Sequence, residues 1–240
     1  MVSAPKKNFY SRKEGQIDYS KESARVSEEG ERMLRRLAEI ESVVDDPKLE
    51  QAHRKLKGKG ALYLDGDFDE NLDPERAQEA MEEIVEARRL VAQVRKDHRK
   101  PIRQLELDKV RRRFNEDIRQ YARPSEENAF DNLARTAQRS IDRDDNDFES
   151  HLSELESKNF AILWRQDYYV IQHFKLMISS PRYFSDQVRF QQLVEHGKRA
   201  IKKDDIDELR QVVRDLCQIW ISTDPSLDDD VIVDTNIIRG

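Results

Sequence analysis

Between Ala80 and His98 the residues Ala80, Ile84, Ala87, Val91, Val94 and His98 recur at alternating steps of four and three, the repeat of a single helix face. Almost everything between them is charged or polar. A seam this narrow leaves water only when one helix is laid against another. The same stepping returns in Met33, Leu37 and Ile40, joined by Leu34, and again in Ile206, Leu209, Val213, Leu216 and Trp220. Charged residues make up 38 % of the chain and hydrophobic ones 37 %, against a usual apolar share of about 45–50 %. Seven Gly and seven Pro give few enforced turns. The pattern predicts an all-α protein, an antiparallel multi-helix bundle with one long helix.

Start and stop signals place the helices. Ser27 serves as N-cap of a helix over 27–44, which Asp45, Asp46 and Pro47 end. A short helix is expected over 48–57, then a polar loop to Asp73. Asp73 and Pro74 open the long helix, Pro74 occupying a first-turn position where its missing N–H costs nothing. Pro101 predicts a kink or end near Lys100, with helical pattern resuming to Tyr121 and stopping at Pro124. A helix from Ser125 to about 141 follows. Residues 148–178 hold Phe160, Leu163, Trp164, Val170, Ile171, Phe174 and Met177 at helical spacing, read as the main core. Asp205 and Glu208 make a capping box for the last helix. The division is 1–26, 27–222 as a helical bundle, and 223–240 as a disordered acidic tail.

The first residues have a different character. Val2, Phe9, Tyr10, Ile17 and Tyr19 suit strands, but Pro5, Ser11, Gly15 and Ser20 interrupt them, and an isolated hairpin is marginal in water. Residues 9–19 are expected to lack sheet partners in this chain and to be irregular or to pair with a second copy. The chain is expected to begin partway through a larger protein.

A net charge of −6 argues against a dedicated nucleic-acid binder, which neutralises phosphates with excess Lys and Arg. The single Cys217, set among Val213, Leu216 and Trp220, reads as a buried reduced thiol. No apolar run approaches the ~20 residues that span a bilayer, which makes the cytoplasm the default compartment.

Asp65, Asp67, Asp69 and Asp73 occupy calcium-loop places, yet Glu70 stands where the turn needs Gly and Arg76 where a bidentate Glu belongs. Gly58, Lys59 and Gly60 lack the preceding strand and following Lys-Ser/Thr of a phosphate loop. His53, His98, His151, His173 and His196 show no metal-ligand spacing. No catalytic, cofactor or metal residue is assigned, and no enzyme activity is expected. The stretch Arg88, Arg89, Arg95, Lys96, Arg99, Lys100 and Arg103 contains one acid, Asp97. It reads either as the solvated side of a helix or as a face for an acidic protein or nucleic acid, and it lacks aromatics that stack on bases.

Four stretches, in order, carry a family likeness. They are Val2-Ser3-Ala4 with Lys7-Asn8 and Glu14-Gly15-Gln16-Ile17; Ser27, Glu28, Glu29 and Met33 within 26–37; Glu82-Glu83-Ile84-Val85 with Arg88 and Arg99-Lys100; and Ala200-Ile201, 204–209 and Leu216, followed by Asp228-Asp229-Asp230-Val231 and Asp234. The series resembles the C-terminal part of a DnaK-type heat-shock chaperone: the closing strands of its β-sandwich, the α-helical lid and an acidic tail. The resemblance implies a non-catalytic lid that slows release of unfolded polypeptide. The parent protein would carry an ATPase domain binding ATP, and would work with a J-domain co-chaperone and a nucleotide-exchange factor. Lid-contact positions would be Arg88, Arg89, Ala92 and Lys96. In that family a carboxylate and a histidine latch the long helix to the sandwich; the matching positions here are Ala92 and Lys96. Residues 48–74 read as an insertion, and 101–199 is longer and more aromatic than the usual lid. A homo-oligomer through exposed apolar seams is a further expectation.

Overall fold

The computed structural model describes residues 12–13, 16–17, 19–58 and 74–220. Among them the protein is all-α, with nine α-helices and one minimal β-ladder. The helices are α1 (Tyr19–Glu41), α2 (Pro47–Lys57), α3 (Pro74–Asp97), α4 (Arg99–Arg113), α5 (Pro124–Arg143), α6 (Phe148–Trp164), α7 (Asp167–Ile178), α8 (Gln187–Lys202) and α9 (Ile206–Ile219). None is long and apolar enough to cross a membrane. The chain divides between Asp97 and His98 into two compact units.

The ladder corrects one expectation. Arg12–Lys13 (β1) pairs antiparallel with Gln16–Ile17 (β2), Arg12 facing Ile17 and Lys13 facing Gln16. These four described positions of the segment 9–19 therefore pair within the chain.

In the first unit α1 begins at Tyr19 rather than near Ser27. Val26, Met33, Leu37 and Ile40 are all buried; the seam therefore starts above Ser27, and tertiary burial overrides a local cap signal. The helix stops at Glu41, and the carboxylate of Asp46 caps α2 by accepting from Lys48 N at 2.8 Å, with Pro47 in the first turn. Leu49, Ala52 and Leu56 face inward from α2, and Ala80, Ile84, Ala87, Val91 and Val94 from α3. Lys48–Asp97 at 2.6 Å and Lys55–Glu83 at 3.0 Å fix α2 antiparallel to α3. At 24 residues α3 is the longest helix, one residue longer than α1. The expected Asp73 cap, the Asp65–Asp69 loop, Lys59 and Gly60, the acidic tail and the residues quoted before Arg12 lie outside the described residues.

In the second unit the break falls at His98, and Pro101 sits in the first turn of α4, where its ring obstructs nothing. Past Arg113 the backbone widens into a π-turn (Phe114–Ile118), then tightens to a 3₁₀ turn (Arg119–Tyr121). Pro124 opens α5, and Glu126 accepts from Arg123 N at 2.8 Å.

Two apolar cores follow, and they split the aromatic-rich stretch. Phe148, Leu155, Ile162 and Leu163 of α6 pack with Leu107, Phe114, Phe130 and Ala137 of α4, the π-turn and α5; Phe114 stacks on Phe130 at 3.8 Å. Val170, Phe174 and Met177 of α7 instead join Phe190, Leu193, Leu209, Val213, Leu216 and Cys217 of α8 and α9. The chain turns at Arg165 and Gln166, and neither residue is a helix breaker. Arg210 holds the turn, donating to the carbonyls of Trp164 and Arg165 and pairing with Asp167 at 2.9 Å. Trp220 closes the second core, stacked on Tyr183 and edge-on to Phe184, with Ser185 N donating to Ile219 O at 2.8 Å.

Helix α8 approaches α7 closely at Gly197, where an added Cβ would come within 2.4 Å of the Phe174 ring. Alanine gains about 1 kcal/mol of helix propensity over glycine, while forcing a methyl into a packed core costs ~1–3 kcal/mol. At this separation the clash wins. Gly197→Ala is expected to lower the urea midpoint, and Phe174→Leu in the same chain to recover part of the loss; an unchanged midpoint in the single variant would contradict the packing.

Candidate functional site

The outer face of α3 is the best-defined candidate. With Ala80, Ile84, Ala87, Val91 and Val94 turned inward, helical spacing puts Val85, Arg89, Ala92 and Lys96 on the opposite side, and all four are exposed. Val85 is 52 % exposed, one of few large hydrophobic residues left so. Of the four positions that the family resemblance would make lid contacts, Arg89, Ala92 and Lys96 share this stripe. Arg88 does not: its Nη2 donates to Glu29 Oε2 at 2.8 Å, and the Glu29 side chain is only 3 % exposed. Arg88 thus ties α3 to α1.

The basic stretch is largely spent inside the protein. Arg88 holds Glu29. Arg89 lies 3.9 Å from Glu86, within its own helix. In the second unit Arg99 bonds Asn146 at 3.0 Å and Lys100 donates to Asp142 O at 3.2 Å. Arg103, 4 % exposed, gives two bonds from Nη2 to the Glu149 carboxylate at 2.7 and 2.9 Å, a third from Nε at 3.0 Å, and one from Nη1 to Asp145 O at 2.8 Å. Its guanidinium lies 5.3 Å from the Phe148 ring centroid. The sequence shows this residue only as one cation in a run. Its partners stand more than forty positions away, beyond any local pattern.

Other arginines serve the same purpose. Arg119 bridges Glu127 and Asp131 at 3.0 and 3.3 Å and covers the Phe114 ring. Arg165 pairs with Glu126, whose carboxyl is pushed down to about 2 by that bond and by the Arg123 amide.

Two open clefts carry titratable groups. One, about 590 Å³, is lined by Glu41, Glu50, His53, Arg54, Lys57 and Gly58; His53 Nε2 lies 3.0 Å from Glu41. The other, about 460 Å³, includes Asp167, Asp204, Asp205, Asp207 and Arg210. Arg210 engages Asp167 and Asp207, and Asp205 caps α9 by accepting from Glu208 N. Among the described residues no group of three His, Cys, Asp or Glu is placed to hold a metal ion. Cys217 is buried in the second core, as expected.

The remaining histidines are dispersed. His151 meets Ser140 at 3.2 Å and His196 meets Glu208 at 2.5 Å. His173 lies among aromatic rings, stacked on Tyr169 and edge-on to Trp164, and burial lowers it to about 4. In α6, Asn159 is 3 % exposed and its Oδ1 has no hydrogen-bond partner among the described residues.

No protein-family model, curated protein or solved structure matches this chain.

Two stability predictions arise from these buried polar groups. Unfolded His173 takes a proton near 6.5 while the folded group resists it until about 4. Its contribution is therefore complete above 6.5 and is lost as pH falls through that window, on the order of 3 kcal/mol in all. Urea titrations at neutral pH and near pH 4 should show the drop, and His173→Phe should shrink it; an equal drop in the variant would assign it to other groups. Asn159→Leu should raise stability by ~1–2 kcal/mol by removing an unpaired acceptor, read as a higher urea midpoint; a lower midpoint would show that the amide is satisfied.

Proposed function

We propose that this chain is a non-catalytic helical lid of a DnaK-like molecular chaperone, covering the peptide-binding surface of an ATPase-containing parent protein. The observation supporting this reading is the outer face of α3, the helix that most resembles the long lid helix. Val85, Arg89, Ala92 and Lys96 line it, while Arg88 secures the helix from behind through buried Glu29. A lid needs that combination: a helix held rigidly on one side and a mixed apolar and cationic stripe on the other. Its effect is kinetic, slowing escape of bound unfolded polypeptide rather than selecting it. A cytoplasmic location, ATP binding and the co-chaperones belong to the parent in this reading.

The outer face of α3 carries neither a carboxylate nor a histidine at Ala92 and Lys96, so its hold on a sandwich would come from Val85 packing and from Arg89 and Lys96 facing acidic residues. In the full-length natural protein, release of a fluorescent unfolded peptide is expected to speed up about tenfold for Arg89→Glu with Lys96→Glu, equivalent to about 1.4 kcal/mol. Deleting residues 19–220 should give at least the same acceleration. Unchanged release in both, or an upstream reading frame encoding no peptide-binding domain, would overturn the proposal.

A further inference from the structure

The crest of α5 presents a cationic stripe that no carboxylate neutralises among the described residues. Phe130, Ala134, Ala137 and Ile141 turn that helix inward. On the opposite side Arg135, Arg139 and Arg143 follow at four-residue intervals, flanked by Asn128 and Asn132, and all five are exposed. Among the described residues Arg135 bonds the Asn132 side chain alone. Arg139 and Arg143 form no ion pair among the described residues. The contrast lies with Arg103, Arg119, Arg165 and Arg210 in the same unit, each of which holds one or more carboxylates.

From this charge pattern we infer that the α5 crest is a docking surface for an acidic helical segment of a partner protein. The three arginines rise ~6 Å from one to the next, since four residues advance a helix by that distance. A helix bearing carboxylates at every fourth position repeats at the same interval, so each guanidinium meets one acid in a charge-assisted bond. The asparagines at the N-terminal end add amide donors and acceptors. A polynucleotide suits the crest less well. Asp131 and Asp142 border it, no aromatic side chain stands on it for base stacking, and the whole chain is acidic at −6. The surface is distinct from the α3 stripe and does not depend on the chaperone reading.

The test uses the full chain and a fluorescent helical peptide with Glu at every fourth position, followed by anisotropy. A peptide with Gln at those positions and an oligothymidylate serve as comparisons. The Glu peptide should bind, more weakly as salt rises. The variant R135E/R139E/R143E should bind about tenfold less tightly, in keeping with a few exposed ion pairs. The variant K198E/R199E/K202E alters the net charge equally on α8 and should bind as the natural chain does. Circular dichroism should be unchanged in both, because every altered side chain is exposed. No binding of the Glu peptide, equal losses in the two variants, or tighter binding of the oligothymidylate would each overturn the inference.

Discussion

The core formed by α4, α5 and α6 is anchored by one buried guanidinium. Arg103 reaches from α4 to the turn joining α5 to α6, where it meets the Glu149 carboxylate, the Asp145 carbonyl and the face of Phe148. A cation buried this far is tolerable only when its donors are used, and here the acceptors converge from the turn and the first residues of α6. Asp144, left-handed at φ 55°, lets the chain reverse there. Phe148 is carried into the core beside the arginine that covers it. The clamp therefore joins a chain reversal to the start of an apolar seam, and the α4–α6 core grows from that point.

The same economy recurs at other helix ends. Arg165 reaches Glu126 and the Tyr121 carbonyl near the start of α5. Arg210 collects the carbonyls that end α6 and the carboxylate that begins α7. With narrow seams and little apolar surface, the fold uses planar, multiply donating arginines where hydrophobic packing runs out. Exposed ion pairs are individually worth little. Arg103 and Arg210 matter because they satisfy backbone carbonyls as well as charges.

Seams were legible in the sequence because they are local. The stepping of Ala80, Ile84, Ala87, Val91 and Val94 predicts the buried side of α3, and all five are buried. His98 closes the pattern but only half-buries, since the helix has already ended at Asp97. Pro74, Pro101 and Pro124 are each informative: every one stands in a first turn, and Pro101 follows closely on the helix end expected near Lys100. The turn at Arg165 and Gln166 carried no signal, because it is held by Arg210 from a distant helix. For the same reason residues 148–178 read as one core from the sequence, whereas the fold divides them between the core of α4 and α5 and that of α8 and α9.

The candidate surfaces show the limit most clearly. Seven basic residues stand from Arg88 to Arg103, but density in sequence says nothing about which charges the fold will use. Arg88 and Arg103 became clamps because carboxylates far along the chain were folded against them. Arg135, Arg139 and Arg143 are less dense, yet their spacing places them together on a crest where no carboxylate pairs with them among the described residues. A charge identifies a surface only after the internal pairs have been subtracted. That subtraction leaves the outer stripe of α3 exposed, with Arg89 beside Glu86, and the crest of α5 among the exposed basic faces without an ion pair among the described residues. They differ in chemistry: Val85 and Ala92 give the first an apolar component, whereas the second relies on charge and is correspondingly sensitive to salt.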